Sequence, residues 1–335
     1  MNAYFNLQLF ATLNTNVTTA TELTAEMKTF YDMTLIDEAS PQLVHDQFGQ
    51  KRPIPANGGK TIEFRKFSSL PKATTALTEG VTPDGGKLEV STITATVNQY
   101  GYYIVQSDIL ELTALDNTIL EATKLLGKQA GVTLDTIVRN VLVAGTNVTY
   151  CPATSAVDTE IKSRANLKAD STLSVDVIAQ VVAKLRANNA PTIGGDYVAI
   201  IHPYVAYDLM RDPEWIDAHK YAQPENLYAG EIGKIGGVRF VQTSEAKVWT
   251  GEGCPEGLAV FATLFLAEGA YGVTEVTGGG LQTIVKQKGS AGTADPLDQR
   301  SSVGWKAIKT AEILVPNYLV RVESCSKFSG TATAN

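Results

Sequence analysis

Between Asp116 and Gly145 apolar residues return at helical spacing for more than six turns, with Ile119, Ala122, Leu126, Ala130, Leu134, Ile137 and Val141 on one face. About 28 residues at 1.5 Å each make a rod on the order of 40 Å long. A helix of that length needs neighbours along the whole stripe, so it sets the frame for everything else. Asp108 and Glu111 form a capping-box pattern ahead of it, Asp116 is a second N-cap candidate, and Gly145 ends it. Gly127 and Gly131 sit inside the helix, each costing ~1 kcal/mol relative to alanine. They are either a local weakness or the place where another backbone crosses closely, and the second reading is favoured.

Residues 60–105 read as a β-ribbon. Polar and apolar side chains alternate over Thr61-Ile62-Glu63-Phe64-Arg65, and six of the eight residues from Val90 to Val97 are β-branched. Between them Leu70 to Lys87 is rich in Pro, Gly and Thr, with Pro83-Asp84-Gly85-Gly86 a strong turn signal. Ten-residue strands would reach roughly 33 Å. The ribbon has too few large apolar residues to bury itself, and isolated two-stranded ribbons are marginal in water. It is expected to lie on something else.

Residues 1–50 read as an arm. Seven threonines fall between Ala11 and Thr29, and a short helix is expected from about Thr24 to Ala39. The arm holds one base (Lys28) and six acids, net −5, whereas residues 51–75 hold six bases against Glu63, net +5. Arm and ribbon base are therefore expected to meet. Further on, Ser174 caps a helix to about Asn188 with Ile178, Val181, Val182 and Leu185 inward. Tyr197 to Ile201 is a buried strand broken by His202-Pro203, and a short helix runs through Asp208-Leu209-Met210. Strands are expected at Val238–Gln242, Leu258–Leu266 and Leu281–Lys286, and Trp305–Val315 and Tyr318–Ser324 read as a closing pair.

The 335 residues bear a net charge of −7, which argues against coating nucleic acid by neutralising phosphates. No apolar run approaches the ~18 residues of a membrane span, and the N-terminus lacks a signal-peptide pattern. Cys151, Cys254 and Cys325 are sparse and odd in number, as expected for reduced thiols. His45, His202 and His219 show no metal-ligand spacing. Gly58-Gly59-Lys60-Thr61 looks like the end of a phosphate loop, but Ile54 stands where a glycine is needed and Pro53 and Pro55 displace the strand. Gly251-x-Gly253 lacks its third glycine. His202 could serve as a base but suits a structural role. Asp208, Asp212, Glu214 and Asp217 could bind a cation, yet a solvated helix edge is the better account. No catalytic, cofactor-binding or metal-ligating residue is assigned.

An arm, a ribbon unable to bury itself, one long helix and an α/β lobe describe an assembly subunit. The sequence also resembles a known family over about residues 20–325. The likeness is carried by Leu77-Thr78-Glu79-Gly80-Val81-Thr82-Pro83, by Tyr100-Gly101 leading into Ser107-Asp108, and by Ile201-His202-Pro203 with Asp208-Leu209. It continues in Gly230-Glu231-Ile232-Gly233, Gly237-Val238-Arg239-Phe240, Asp295-Pro296-Leu297, Gln299-Arg300 and Val303-Gly304-Trp305-Lys306. Their order and spacing resemble the major capsid proteins of tailed bacteriophages, with the Hong Kong 97-type fold, closest to the branch of the N-four type phages. The opening Asn6-Leu7-Gln8-Leu9-Phe10-Ala11 is similar to the start of many phage structural proteins.

The resemblance implies an α+β fold: an N-terminal arm (1–50), an extended β-ribbon or E-loop (51–105), and a peripheral (P) domain with the spine helix (106–165). An axial (A) domain (166–299) and closing strands of the P domain (300–328) complete it. It implies a coat protein that self-assembles through hexamers and pentamers into an icosahedral shell around phage DNA. Scaffold, portal and decoration proteins are the further partners implied, with only non-specific DNA contact and no membrane. The virion is the implied location, with the host cytoplasm during assembly. Candidate crosslinking lysines (Lys60, Lys66, Lys72, Lys87) lie in the ribbon, with none selected. Two alternatives stand beside it: a cytoplasmic enzyme with a site in the 196–240 lobe, and a cargo-enclosing compartment shell of the same fold.

Overall fold

Two sheets, one ribbon and one long helix organise the chain. The computed structural model describes residues 33–39, 43–55, 59–67, 70, 72–76, 79–80, 82, 85–113, 118–155, 161–222, 233–275, 279–290 and 295–335. In chain order its elements begin with α1 (residues 33–39), β1 (Gln50–Lys51), β2 (Thr61–Phe67), β3 (Val90–Thr96) and β4 (Asn98–Ser107). Next come α2 (Asp108–Thr113), α3 (Thr118–Val143), β5 (Val148–Tyr150), α4 (Val175–Ala187), β6 (Tyr197–Ile201), α5 (Pro203–Met210) and α6 (Pro213–Ala222). The chain closes with β7 (Lys234–Ile235), β8 (Val238–Gln242), β9 (Val248–Trp249), β10 (Val260–Leu266), β11 (Tyr271–Glu275), β12 (Gln282–Lys286), β13 (Arg300–Ile313) and β14 (Leu319–Ser324).

The long helix is present as α3, 26 residues or about 39 Å. Ala122, Leu126, Ala130 and Leu134 are buried as the spacing predicts, but the buried side then drifts to Val138 and Leu142, leaving Ile137 and Val141 half-covered. A strict four-residue step turns slowly around a 3.6-residue helix, and here it moves the stripe from the five-stranded sheet toward the seven-stranded sheet. Of the expected caps, Asp116 lies outside the described residues. The turn before α2 is capped instead by Ser107, whose Oγ accepts from the Leu110 amide at 3.4 Å, while Asp108 is already helical.

In the five-stranded sheet, β13 is flanked by β4 on one side and by β12 and β11 on the other, and β1 adds parallel to β11. Leu35 of α1 and Leu126, Ala130 and Leu134 of α3 pack on its inner face against Val303, Trp305 and Ala307. The seven-stranded sheet runs β5-β14-β10-β6-β8-β7, with β9 on β10. Its β10 and β6 are buried at every position, and α4 and α5 cover one face through Val181, Leu185, Val205 and Leu209. The β7–β8 hairpin turns on Gly236 and Gly237, both at positive φ, where glycine carries no Cβ penalty.

Three expectations need correction. Residues 98–105, read as ribbon, form β4 and pair with β13 from Asn98↔Lys309 to Ser107↔Arg300. The described ribbon is β2 with β3 alone, seven residue pairs from Thr61↔Thr96 to Phe67↔Val90. The closing strands do not pair with each other, because the 3-10 turn Pro316–Tyr318 sends β13 and β14 into different sheets. Likewise β11 and β12, inside residues 166–299, belong to the five-stranded sheet. The turn at Gly269, at φ +70, carries the chain there from β10. These two crossings are stitched together: the Ala270 carbonyl accepts from the Leu314 and Val315 amides at 2.9 and 3.1 Å, and the Ala267 amide donates to Tyr318 O at 3.0 Å.

Candidate assembly surfaces

Among the described residues the ribbon packs on the body through the first four of its seven pairs. Phe64 and Ala95 are buried there with Leu314, flanked by Ile62, Ile93 and Val315. The Phe64 ring lies over Gly272, where an added Cβ would stand 2.7 Å from it, so the glycine is what lets the ring seat. Beyond the base the described ribbon residues are exposed, Leu70, Leu88 and Val90 among them. Beneath it a cavity of about 280 Å³ is lined by Arg52, Phe64, Arg65, Leu314 and Tyr318. Lys60, Lys72 and Lys87 are exposed.

The arm meets the body in the region the glycines marked. α1 crosses α3 at Gly127, where a Cβ would sit 2.8 Å from Leu35 O and 3.0 Å from Glu38 Cβ. The close backbone approach read from the sequence is therefore real at this glycine. Just beyond, His45 and Asp135 are both fully buried. The His45 amide and Nδ1 engage the two Asp135 oxygens at 2.7 and 2.6 Å, and the Tyr271 hydroxyl donates to His45 O. Burial pushes the Tyr271 hydroxyl well up, so it stays a donor. Asp46 faces Lys309 at 3.0 Å and Lys51 at 3.9 Å, and Glu38 faces Lys128 at 3.6 Å. Of the basic ribbon flank, then, Lys51 meets an arm acid within the same chain; Glu22, Glu26 and Asp32 lie outside the described residues. Sequence reasoning missed the His45 pin, although an aspartate beside the apolar stripe of a long helix was its available signal.

Where the seven-stranded sheet meets the end of α3, Glu323 is fully buried between two arginines. Arg164 holds it through Nε and Nη2, both at 2.7 Å, and Arg321 Nε reaches it at 2.9 Å. Arg164 also lies 3.6 Å from the Trp249 ring centroid, and Arg321 donates to Val143 O and to Gly145 O. The hydrogen bond to Glu323 raises the Arg164 guanidinium, whereas burial lowers that of Arg321. This cluster clamps the C-terminal end of the spine helix.

The residues weighed for chemistry resolve into structure. His202 caps α5, its Nδ1 accepting from the Tyr204 amide at 3.1 Å, and its ring packs 4.9 Å from Phe261. Burial lowers it to about 4, which keeps it neutral and suited to capping. The acidic cluster is not the solvated edge expected: Asp208 is buried and accepts from the Lys327 amide, and Asp212 accepts from the amides of Val175 and Glu214. Glu214 and Asp217 are exposed on α6, whose helical span also includes His219. The Gly251–Gly253 stretch is a tight loop, with both glycines at positive φ. The thiols are free; burial pushes Cys151 well up and Cys325 to about 11, away from the thiolate a nucleophile needs. Among the described residues no cluster of three His, Cys, Asp or Glu side chains is placed for a metal, and no helix is long and apolar enough to cross a membrane.

Exposed apolar side chains are instead found on and beside β4: Tyr103 and Val105 on the outer face of the five-stranded sheet, Tyr102 on the inner face that α3 covers, Leu125 on α3, and Ile109 and Leu112 on α2. Large apolar side chains exposed along one strand and its neighbouring helices are what a protein interface offers. A family model described as phage capsid protein matches residues 14–259. The chain belongs to that family. Its fold is that of solved capsids: the capsid of Ralstonia phage GP4 is 14% identical, with 97% of this chain and 99% of that chain covered at a TM-score of 0.64. The cyanophage Pam1 capsid is 13% identical over 96% and 99%, also at 0.64, and the cyanophage P-SCSP1u capsid 14% identical over 84% and 87% at 0.63. No curated protein matches the chain. As a capsid protein it has the Hong Kong 97-type fold, and the enzyme and cargo-compartment alternatives are not favoured.

Proposed function

We propose that this capsid protein is the coat subunit whose copies, as hexamers and pentamers, close into the icosahedral head around phage DNA. In this reading the β2–β3 ribbon is the E-loop, the five-stranded sheet with α1 and α3 is the P domain, and the seven-stranded sheet with α4 to α6 is the A domain. The observation that carries it is the ribbon: of its seven residue pairs, about 24 Å at 3.4 Å per residue, the first four pack on the body around Phe64 and Ala95, and the described residues beyond them are exposed. A two-stranded element of that kind gains stability only on another body, and in a shell the next subunit supplies it. The net charge of −7 fits a wall that meets packaged DNA without binding it tightly. Scaffold, portal and decoration proteins are the expected partners. The coat role requires no catalysis.

Deleting Leu70 to Lys87 tests the reading. Because the buried base at Phe64 and Ala95 is kept, circular dichroism of the variant matches the parent while sedimentation shows no shells. Shells of parental size from the deletion would overturn the assignment of the ribbon.

A further inference from the structure

The cavity of about 280 Å³ under the ribbon has an apolar floor and a cationic rim. Phe64 and Ile93 of the ribbon stand across it from Leu314, Val315 and Tyr318, in the segment that follows β13. Phe64 and Leu314 are buried, but Ile93, Val315 and Tyr318 are only half-covered. The floor therefore keeps apolar surface that a further group could cover, and covering it is favourable in proportion to its area.

Sheet register supplies the rim. β1 adds parallel to β11 with Gln50 opposite Gly272, and the Phe64 ring lies 2.7 Å from where a Cβ of Gly272 would stand. Gln50 is thus on the face that the ribbon covers, and by the two-residue alternation of a strand so is Arg52. The Arg52 amide donates to Val273 O at 3.1 Å, which extends the ladder by one residue and fixes the backbone beneath that guanidinium. Lys51 turns to the opposite face and meets Asp46. Arg52 has no such acid. Its guanidinium carbon lies 6.0 Å from the Phe64 ring centroid, and among the described residues it joins no ion pair. Arg65, which lines the ribbon side of the cavity, is likewise without one among the described residues.

A guanidinium offers a planar fork of donors that matches a carboxylate. Beside a half-covered apolar floor, that fork specifies a ligand with two ends, an anionic head and an apolar tail. Cavities that hold small molecules have this make-up, mostly apolar with a few placed polar groups, from ~300 Å³ upward. About 280 Å³ lies at the small end of that range and suits one short chain. We propose that this cavity binds a medium-chain fatty-acid anion, its carboxylate on Arg52 and its chain along Ile93, Val315 and Tyr318. A small molecule is the occupant because every wall comes from one subunit, with Phe64 and Ile93 from the ribbon and Arg52 and Tyr318 from the body. The bound anion touches ribbon and body at once and braces the ribbon at its base. The proposal stands apart from the coat reading, since it needs only the folded subunit.

Isothermal titration calorimetry of octanoate into the full-length subunit tests it, at concentrations where octanoate forms no micelles. Octanoate is expected to bind once per subunit. Octanol, with the same chain and no charge, is expected to bind about 10-fold more weakly or worse, the worth of a charge-assisted hydrogen bond. Arg52→Gln should weaken octanoate by a similar factor, and Val315→Trp, which fills the cavity, should abolish binding. Lys72→Gln, at an exposed ribbon base outside the cavity lining, should leave the affinity unchanged. Failure of octanoate to bind, equal binding of octanol, or an unaltered affinity in Arg52→Gln overturns the proposal. Should Val315→Trp not fold, as judged by circular dichroism, Arg52→Gln and the octanol comparison still decide. Octanoate that binds free subunits but is excluded from assembled particles would put a neighbouring subunit's side chains in the cavity and overturn it as well.

Discussion

Replacing Gly127 by alanine sets two effects of known sign against each other. In an unencumbered helix the change stabilises by ~1 kcal/mol. Here the new Cβ would meet Leu35 O at 2.8 Å and Glu38 Cβ at 3.0 Å, with Leu35 Cα at 3.3 Å. Two of these three atoms are backbone and cannot swing aside, so α1 must move by several tenths of an ångström. Overpacking of that kind costs about 1–3 kcal/mol, which leaves a net loss of about 0–2 kcal/mol. Leucine at the same place cannot fit beneath α1 at all, and lifting α1 exposes Leu35, worth about 1.5–3 kcal/mol of burial. The informative comparison is a double-mutant cycle with Leu35→Ala, which loosens α1. In that background Gly127→Ala is expected to turn from neutral or destabilising to stabilising by ~1 kcal/mol, read from urea denaturation midpoints. A stabilising Gly127→Ala in the parent protein, with no coupling to Leu35, would refute the close crossing.

Glu323→Gln keeps the shape of the buried side chain but leaves Arg164 and Arg321 uncompensated, so urea unfolding should show a loss of about 3–5 kcal/mol; a loss below ~1 kcal/mol contradicts the clamp. His202→Ala removes the cap of α5 and should cost ~1 kcal/mol, while His202→Asn, which can cap, should cost much less. The same site has a pH signature. His202 is lowered from 6.5 to about 4 in the folded state, so between those values the unfolded chain binds a proton that the native one does not. Stability therefore falls as pH drops from about 6.5 to 4. The fall should be shallower in His202→Asn, and identical pH profiles would remove His202 from the account.

The parts of the fold governed by local periodicity were legible in the sequence. The spine helix, the capped helix after Ser174, the buried strand Tyr197–Ile201 and the ribbon strands stand where spacing and β-branching put them. What local pattern could not carry was partnership across the chain. Whether β4 stays with the ribbon or joins β13 depends on a residue some two hundred positions away. The split of β13 and β14 into two sheets hangs on a three-residue turn. His45 and Glu323 look like ordinary surface residues until Asp135, Arg164 and Arg321 are brought to them. Gly127 is the exception, a long-range contact visible locally because a glycine in mid-helix has a cost that something must offset. The acidic residues near Trp215 were misjudged for a related reason: Asp208 and Asp212 cap amides from distant segments, and charge density alone does not show that.

Negative-stain electron microscopy of the purified, concentrated chain tests the central claim most directly. The account predicts closed shells, or rings of five and six subunits, built from the unmodified protein. A population that stays strictly monomeric at high concentration, above all one that turns over a small molecule, would contradict it.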